Sequence, residues 1–314
     1  YLFADKISDE DATKMINSVA KRFETDYPEE FRCLYMKECS ESGRNALKEK
    51  RVITSYLAGK NNGAVILSED EGTSVLLNGE DHVRIQVLCN GMDIQSCFKK
   101  ANEIDDYIDA HFDYAFDEKY GYKTTFPTNT GTGMKAGYTL HLPSLSDARR
   151  LNDISAELGR FGLKFRTVYG DGQNGYGNLY QISTQKTLGQ DEREVIKDLD
   201  DIVLQIVNQE KEQREHFYKK DKIQMDDEIY KSYGVLKYAR KLSLKDSMVL
   251  ISELMTGVSL GVLQFAHNGR YNINELIMDI QPAVLRQNSG KAMSVAETDV
   301  LRAEYIRKYL PEII

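Results

Sequence analysis

The chain has 314 residues, of which 41% are apolar and 29% are charged, and its formal net charge is −8. This length and apolar fraction suffice for one large core or two smaller ones. The acidic balance argues against direct nucleic-acid binding through a global positive field. No apolar run approaches the roughly 20 residues that span a bilayer, which argues against a membrane segment.

The cysteines and the first residues of the chain indicate the cellular compartment of the protein. The spacing of Cys33, Cys39, Cys89 and Cys97 does not match a zinc site, and disulfides are rare in a large chain so poor in cysteine. The segment from Tyr1 onwards lacks the basic and apolar regions of a signal peptide. The sequence therefore predicts reduced thiols, no metal site and a cytoplasmic protein whose chain begins downstream of its natural start.

Periodicity predicts the following elements in chain order. A capping box at residues 8–11 opens a helix that runs to about Phe23. Further helices are predicted over residues 92–116, 147–159 and 191–218, the second of them beginning at a capping box over residues 144–147. Strands are predicted over residues 63–67, 74–77, 82–88, 137–142, 163–169 and 179–183.

The kinds of element change along the chain, because everything after about Lys220 has a helical pattern. The strands before that point are separated by turns or single helices, without regular alternation of strand and helix. The sequence therefore predicts an α+β fold. It combines a mostly antiparallel β-sheet flanked by helices in residues 1–215 with an all-helical domain in residues 216–314.

Four segments carry chemically suggestive residues. Residues 78–86 read Asn-Gly-Glu-Asp-His-Val-Arg-Ile-Gln, and the alternation of a strand places Arg84 on the face opposite Val83 and Ile85. Residues 127–136 read Pro-Thr-Asn-Thr-Gly-Thr-Gly-Met-Lys-Ala, in which glycines let backbone N–H groups approach phosphate oxygens and a lysine adds charge. Its spacing is not that of a Walker A loop.

The other two segments lie further along the chain. Residues 166–172 read Arg-Thr-Val-Tyr-Gly-Asp-Gly, a strand that ends in an acidic turn. Residues 177–185 read Gly-Asn-Leu-Tyr-Gln-Ile-Ser-Thr-Gln, a strand with alternating polar residues. Each of the four, taken alone, is also accounted for by an ordinary polar turn or loop beside a strand.

Together and in this order, the four segments resemble the motifs of the phosphagen (guanidino) kinases. The C-terminal helical region points to one branch, the bacterial protein-arginine kinases, because residues 298–303, Thr-Asp-Val-Leu-Arg-Ala, resemble that branch's phosphoarginine-binding motif. Residues 276–278 and 281–283 are also similar to that branch. The resemblance runs along nearly the whole chain.

The resemblance implies ATP and Mg²⁺ as cofactors and a transfer of phosphate to arginine side chains of proteins. It implies Glu80 and Asp171 as the catalytic carboxylates. For phosphoarginine binding it implies Asp299, Arg302 and Ala303. The positions that it implies for nucleotide binding are Arg84, Lys135, Ala136, Gly137, Tyr138, Thr139, Arg166, Thr167, Val168, Tyr169, Gly170 and Asp171. An arginine-bearing segment that contacts phosphate in the family would precede Tyr1.

Five positions depart from the family pattern. Gly79 replaces the first of two glutamates, Phe126 replaces a cysteine, Lys135 replaces an arginine, Asp171 replaces a glutamate, and Thr298 replaces the first arginine of the phosphoarginine motif. These changes leave two hypotheses open, an active protein-arginine kinase and a catalytically impaired pseudokinase that acts as a binding or regulatory module. A kinase for free guanidino compounds fits the helical tail less well.

The resemblance also implies partners. Substrates would be proteins with an exposed arginine, and the marked proteins would go to a Clp-type protease during stress. A zinc-containing activator protein and self-association as a homodimer are further expectations from the family.

Overall fold

The structure is a computed structural model that describes residues 1–171, 174–266 and 273–314. It divides into two compact units. Unit 1 comprises residues 1–136 and 185–197, and unit 2 comprises residues 137–184 and 198–314. None of the helices in the described part is both long and apolar enough to cross a membrane.

Unit 1 is built on a four-stranded antiparallel sheet in the order β1-β2-β3-β4. A two-stranded hairpin, β5-β6, lies further along the chain. The strands of unit 1 are β1 (Phe31–Tyr35), β2 (Ala64–Ser68), β3 (Thr73–Leu77), β4 (Val83–Val87), β5 (Phe116–Asp117) and β6 (Gly121–Tyr122). Its helices are α1 (Asp9–Asp26), α2 (Glu41–Glu49), α3 (Ser55–Ala58) and α4 (Ile94–Asp109), with short 3-10 turns at Met36–Glu38 and Pro127–Asn129.

The central strands of this sheet are buried on both faces. In β2, Ile66 belongs to the core formed with α1 and α4, whereas Val65 and Leu67 belong to a second core that contains Leu57 of α3. A strand buried on both sides needs a continuous apolar run rather than alternation, and residues 64–67 and 74–77 provide one. The strands predicted there are confirmed, as is the helix that Ser8 caps by accepting a hydrogen bond from the Asp11 N–H. Strand β1 was not predicted.

Unit 2 contains a three-stranded antiparallel sheet in the order β7-β11-β8 and a small hairpin, β9-β10. The strands are β7 (Gly137–His141), β8 (Leu163–Thr167), β9 (Gly170–Asp171), β10 (Asn174–Gly175) and β11 (Leu179–Thr184). Two helices, α5 (Pro143–Asp147) and α6 (Leu151–Arg160), lie between β7 and β8. The long helix α7 (Glu192–Lys220) begins in unit 1 and continues in unit 2. All strand pairs in the described part are antiparallel, which confirms the predicted fold class.

The predicted start of the helix after β7 is wrong. The serine of the expected capping box lies inside α5, which Pro143 opens at its first position. Arg149 then adopts a left-handed conformation with φ of 57°, and this separates α5 from α6. The backbone N–H groups of Ser144 and Leu145 are capped instead by the distant carboxylate of Glu210 in α7, at 3.1 and 2.9 Å. Local spacing cannot reveal a cap that comes from 65 residues away.

The remainder of unit 2 is helical in its described part, as predicted, apart from an isolated antiparallel bridge between Phe265 and Ile313. Its helices are α8 (Lys222–Tyr238), α9 (Leu244–Ser259), α10 (Ile273–Asp279), α11 (Pro282–Ser289) and α12 (Val295–Tyr309). They share one apolar core, which also takes in Leu179 of β11. The expected domain boundary at residues 215 and 216 falls inside α7 and stays a prediction.

Candidate active site

Glu80 lies in the turn that joins β3 to β4 in unit 1. Asn78 shapes this turn, with a φ of 55°, a backbone N–H that donates to the His82 carbonyl at 2.8 Å, and a side-chain amide that donates to the Asn62 carbonyl at 2.6 Å. One carboxylate oxygen of Glu80 accepts a hydrogen bond of 3.0 Å from the Thr54 hydroxyl. Thr54 is the N-cap of α3 and accepts in turn from the Leu57 N–H. The carboxylate is therefore half-buried and held in one direction, as a catalytic base requires.

Asp81, which was not predicted as a site residue, organises the neighbouring loop. Its two oxygens accept hydrogen bonds from the Thr125 N–H at 2.6 Å and from the Asn129 side-chain amide at 2.8 Å. The carbonyl oxygen of that same amide accepts from the Lys135 ammonium at 2.5 Å. The glycine loop and its lysine are thereby fixed to the segment that carries Glu80. The signal in the sequence was the second carboxylate of the Glu-Asp-His triplet.

The loop itself needs glycine for two different reasons. Gly131 has a φ of 112°, and a Cβ there would approach the Thr187 carbonyl oxygen to 2.2 Å. Gly133 has a φ of 66° but is not crowded in this way. Because the backbone is this close to its neighbour and uses left-handed conformations, a side chain at Gly131 would displace the loop that presents Lys135.

Arg84 lies exposed on β4, and Val83 and Ile85 pack against the core on the other side of the strand, as predicted. Within the part of the chain that the structure describes, no hydrogen bond or ion pair holds its guanidinium group. An exposed cation without a protein partner is available to an anionic ligand such as a phosphate group.

The sheet of unit 2 presents a polar, basic face. Gln181 of β11 pairs with Thr139 of β7 on one side and with Arg166 of β8 on the other, so these three side chains share a face. Arg166 donates from Nε to the Gln181 side-chain oxygen at 2.7 Å and from Nη2 to the same atom. Ser183 pairs with Gly137 and with Lys164, which adds a second cation to this face. The opposite face holds buried side chains such as Leu140 and Ile182.

The remaining nucleotide positions in unit 2 lie elsewhere. The Tyr138 side chain is buried on the other face, where its hydroxyl donates to Asp200 at 2.6 Å. Val168 and Tyr169 pack against the helical core. The backbone of Asp171 lies in the hairpin β9-β10, whereas its side chain lies outside the described part of the chain. Three predicted residues, Gly137, Thr139 and Arg166, therefore share the open face.

Three further predicted positions lie at or next to the ends of strands. Ala136 is the residue before β7, Thr167 ends β8, and Gly170 begins β9 with a φ of 105°. Ala136 and Gly170 can offer a nucleotide only their backbone groups, whereas Thr167 also carries a hydroxyl group.

Two of the predicted phosphoarginine-binding residues, Asp299 and Arg302, form hydrogen bonds within the helical region. Arg302 is 1% exposed, and its guanidinium donates to the carbonyls of Ile280 and Leu242 at 2.9 Å each and to the Asp299 carboxylate at 2.6 Å. Ala303 is fully buried. In this conformation these donors of Arg302 are used inside the protein, and the binding role stays a prediction.

Among the described residues there is no group of three or more His, Cys, Asp or Glu side chains that could hold a metal ion. Magnesium in kinase sites is held largely by phosphate oxygens and water, with only one or two carboxylates from the protein. Arg84 in unit 1 and Arg166 in unit 2 are both exposed cations, and the binding of phosphate by either one stays a prediction.

Comparisons with known proteins place the chain in a family. Residues 13–213 match the family described as ATP:guanido phosphotransferase, C-terminal catalytic domain, and residues 222–313 match the protein-arginine kinase McsB C-terminal domain. Among curated proteins, the protein-arginine kinase of Bacillus mycoides is 38% identical over 99% of this chain and 88% of its own length. That of Bacillus subtilis is 37% identical over 98% of this chain and 85% of its own length.

Solved structures show the same fold. A lombricine kinase matches with a TM-score of 0.57 and 17% identity, covering 66% of this chain and 61% of its own. The duplicated taurocyamine kinase from Schistosoma mansoni matches with a TM-score of 0.58 and 23% identity, covering 66% of this chain and 30% of its own. The chain therefore belongs to the ATP:guanido phosphotransferases, a family of ATP-dependent guanidino kinases, and within them to the protein-arginine kinases.

Proposed function

We propose that this protein is an active kinase that transfers the γ-phosphoryl group of ATP to arginine side chains of proteins. The observation that carries the proposal is the Glu80 carboxylate, which Thr54 orients at 3.0 Å. In the same unit, Arg84 is exposed without a partner in the described part. A base and a phosphate-binding cation are the two things that phosphoryl transfer to a guanidinium requires of the protein.

The guanidinium nucleophile sets the need for a base. Its pKa exceeds about 12, so it is protonated at neutral pH and must lose a proton as the N–P bond forms. We assign that proton to Glu80 and assign Asp171 as the second carboxylate that orients the guanidinium. The bond that breaks joins the γ-phosphorus to the oxygen that leaves with ADP.

Charge neutralisation is the other requirement, since the transition state of phosphoryl transfer spreads negative charge over the phosphoryl oxygens. Bound ATP would bring Mg²⁺, which supplies part of that neutralisation. We assign Arg84, Lys135 and Arg166 to the phosphates, and the backbone of residues 136–139 and 167–170 to the rest of the nucleotide. Lys135 provides charge without the two-pronged geometry of arginine.

The pseudokinase alternative is favoured by one observation, the use of the Arg302 guanidinium inside the helical region. A protein that had lost phosphoarginine binding could still act as a regulatory module. We further propose, from the family alone, a cytoplasmic location and an involvement in stress responses. The same source suggests a zinc-containing activator protein, delivery of marked proteins to a Clp-type protease, and a homodimer.

The test is phosphotransfer to a mixed protein substrate by the full-length protein with Mg-ATP. Phosphoarginine is sought by mass spectrometry under non-acidic handling, because the N–P bond is acid-labile. Glu80→Gln and Asp171→Asn should each abolish the signal while thermal unfolding is unchanged. Glu29→Gln, at an exposed carboxylate in unit 1, is the matched control and should keep full activity. Wild-type protein that folds and binds ATP but transfers nothing would favour the pseudokinase.

A further inference from the structure

Two exposed aromatic rings lie together in unit 1. Tyr56 on α3 is 42% exposed, and Phe126, just before the 3-10 turn Pro127–Asn129, is 41% exposed. Their ring centroids are 6.4 Å apart, and the ring planes are nearly perpendicular at 88°. Burial against the core does not explain two large rings that remain this exposed, so the pair is available to a ligand.

Both rings are tied to the segment that holds Glu80. Tyr56 lies two residues after Thr54, whose hydroxyl donates to Glu80. Phe126 follows Thr125, whose N–H donates to Asp81 at 2.6 Å. Each ring is therefore within two residues of a hydrogen bond to residues 80 and 81. These hydrogen bonds place both rings in the part of unit 1 that carries the proposed catalytic base.

The Tyr56 ring already interacts with a cation in this structure. The Lys60 ammonium lies 5.7 Å from the ring centroid while donating to the Ala4 carbonyl at 3.0 Å. Aromatic faces attract cations through their quadrupole, and the flat, weakly hydrated guanidinium group is the side chain that stacks on them best. Beside a carboxylate, such rings would select a planar cation.

We propose that Tyr56 and Phe126 form an aromatic platform that binds the guanidinium group of a substrate arginine next to Glu80. The proposal rests on the proposed function and gives Phe126, which stands where the family has cysteine, a role in substrate binding. The rings hold the cation from the side, and the carboxylate takes its proton. Lysine, which is a compact and strongly hydrated cation, binds such a platform less well.

The first experiment measures binding alone, by calorimetric titration with a short peptide that contains one arginine. The same peptide with citrulline, which has the shape but no charge, is the ligand control. Phe126→Leu and Tyr56→Leu should each weaken binding of the arginine peptide roughly 2- to 30-fold, the range expected for a lost cation–π contact. Phe126→Trp should retain it. Phe161→Leu, at a ring that is 70% exposed, is the protein control and should change nothing.

The second experiment measures kinetics of the same variants. We expect KM for the arginine peptide to rise by the same factor in both leucine variants, with kcat and the KM for ATP unchanged. Equal binding of the arginine and citrulline peptides, or unaltered binding in both leucine variants, would overturn the platform. Wild-type protein that binds the arginine peptide selectively but transfers no phosphate would instead contradict the proposed function, and the platform would stand.

Discussion

Replacing Arg302 with alanine distinguishes a structural role of this residue from a ligand-binding role. Its side chain is 2% exposed and that of its partner Asp299 is 13% exposed. The guanidinium also donates to two backbone carbonyls, one before α9 at Leu242 and one between α10 and α11 at Ile280. The residue thus joins α12 to two other segments of the helical region.

The cost of the substitution follows from these contacts. Removing one partner of a buried ion pair typically costs about 3–5 kcal/mol, because the other charge remains buried without compensation. Here two carbonyl groups lose a charged donor as well, which places the expected loss in the upper part of that range. Replacing an exposed arginine that only binds a ligand would lower the free energy of unfolding by less than about 0.5 kcal/mol.

The assay is urea unfolding of the purified protein, with hydrogen exchange of α9 and α12 as a local readout. Arg240→Ala, at an exposed arginine in the same region, is the matched control and should unfold like the wild type. A loss of less than about 1 kcal/mol for Arg302→Ala would refute the structural reasoning and return the residue to the binding role implied by its motif.

Four further outcomes are expected. Glu210→Ala should lower the free energy of unfolding in urea by about 3–5 kcal/mol. The Glu210 carboxylate lies 2.9 Å from the Arg214 guanidinium, and the substitution leaves this buried charge without its partner. Burial, and secondarily the charge of Arg214, lowers the pKa of His141 to about 3, so the folded protein keeps this ring neutral while the unfolded chain protonates below pH of about 6.5. Unfolding free energy should therefore fall by about 2 kcal/mol from pH 7 to pH 5 through this group, and a pH titration of His141→Asn should lack that component. Ser252→Ala should lower the melting temperature, at a cost of about 1–3 kcal/mol, because the hydroxyl of Ser252 lies 2.8 Å from the half-buried His141 ring; an unchanged melting temperature would count against this contact. Lys135→Ala should weaken ATP binding by about 10- to 100-fold in a nucleotide titration, and equal affinity would remove it from the phosphate site.

The candidate site could be predicted from the sequence only as separate segments. Alternation along β4 was enough to place Arg84 on the exposed face, since the period of a strand is local. The roles of Asp81 and Thr54 were not visible in the same way. Their hydrogen bonds join residues 26 to 48 positions apart, and no spacing rule relates them.

The sequence by itself determined the family, the antiparallel α+β fold and the helical C-terminal region, because motif order and hydrophobic periodicity are properties of neighbouring residues. The tertiary structure alone decided that the helix after β7 breaks at Arg149, that Glu210 caps α5, and that Arg302 is buried. It also placed Tyr56 beside Phe126. Each of these features depends on contacts between residues that lie far apart in the sequence. Such contacts pair a buried charge or an N–H group with its partner, or bring two rings together, and they form only when the chain packs.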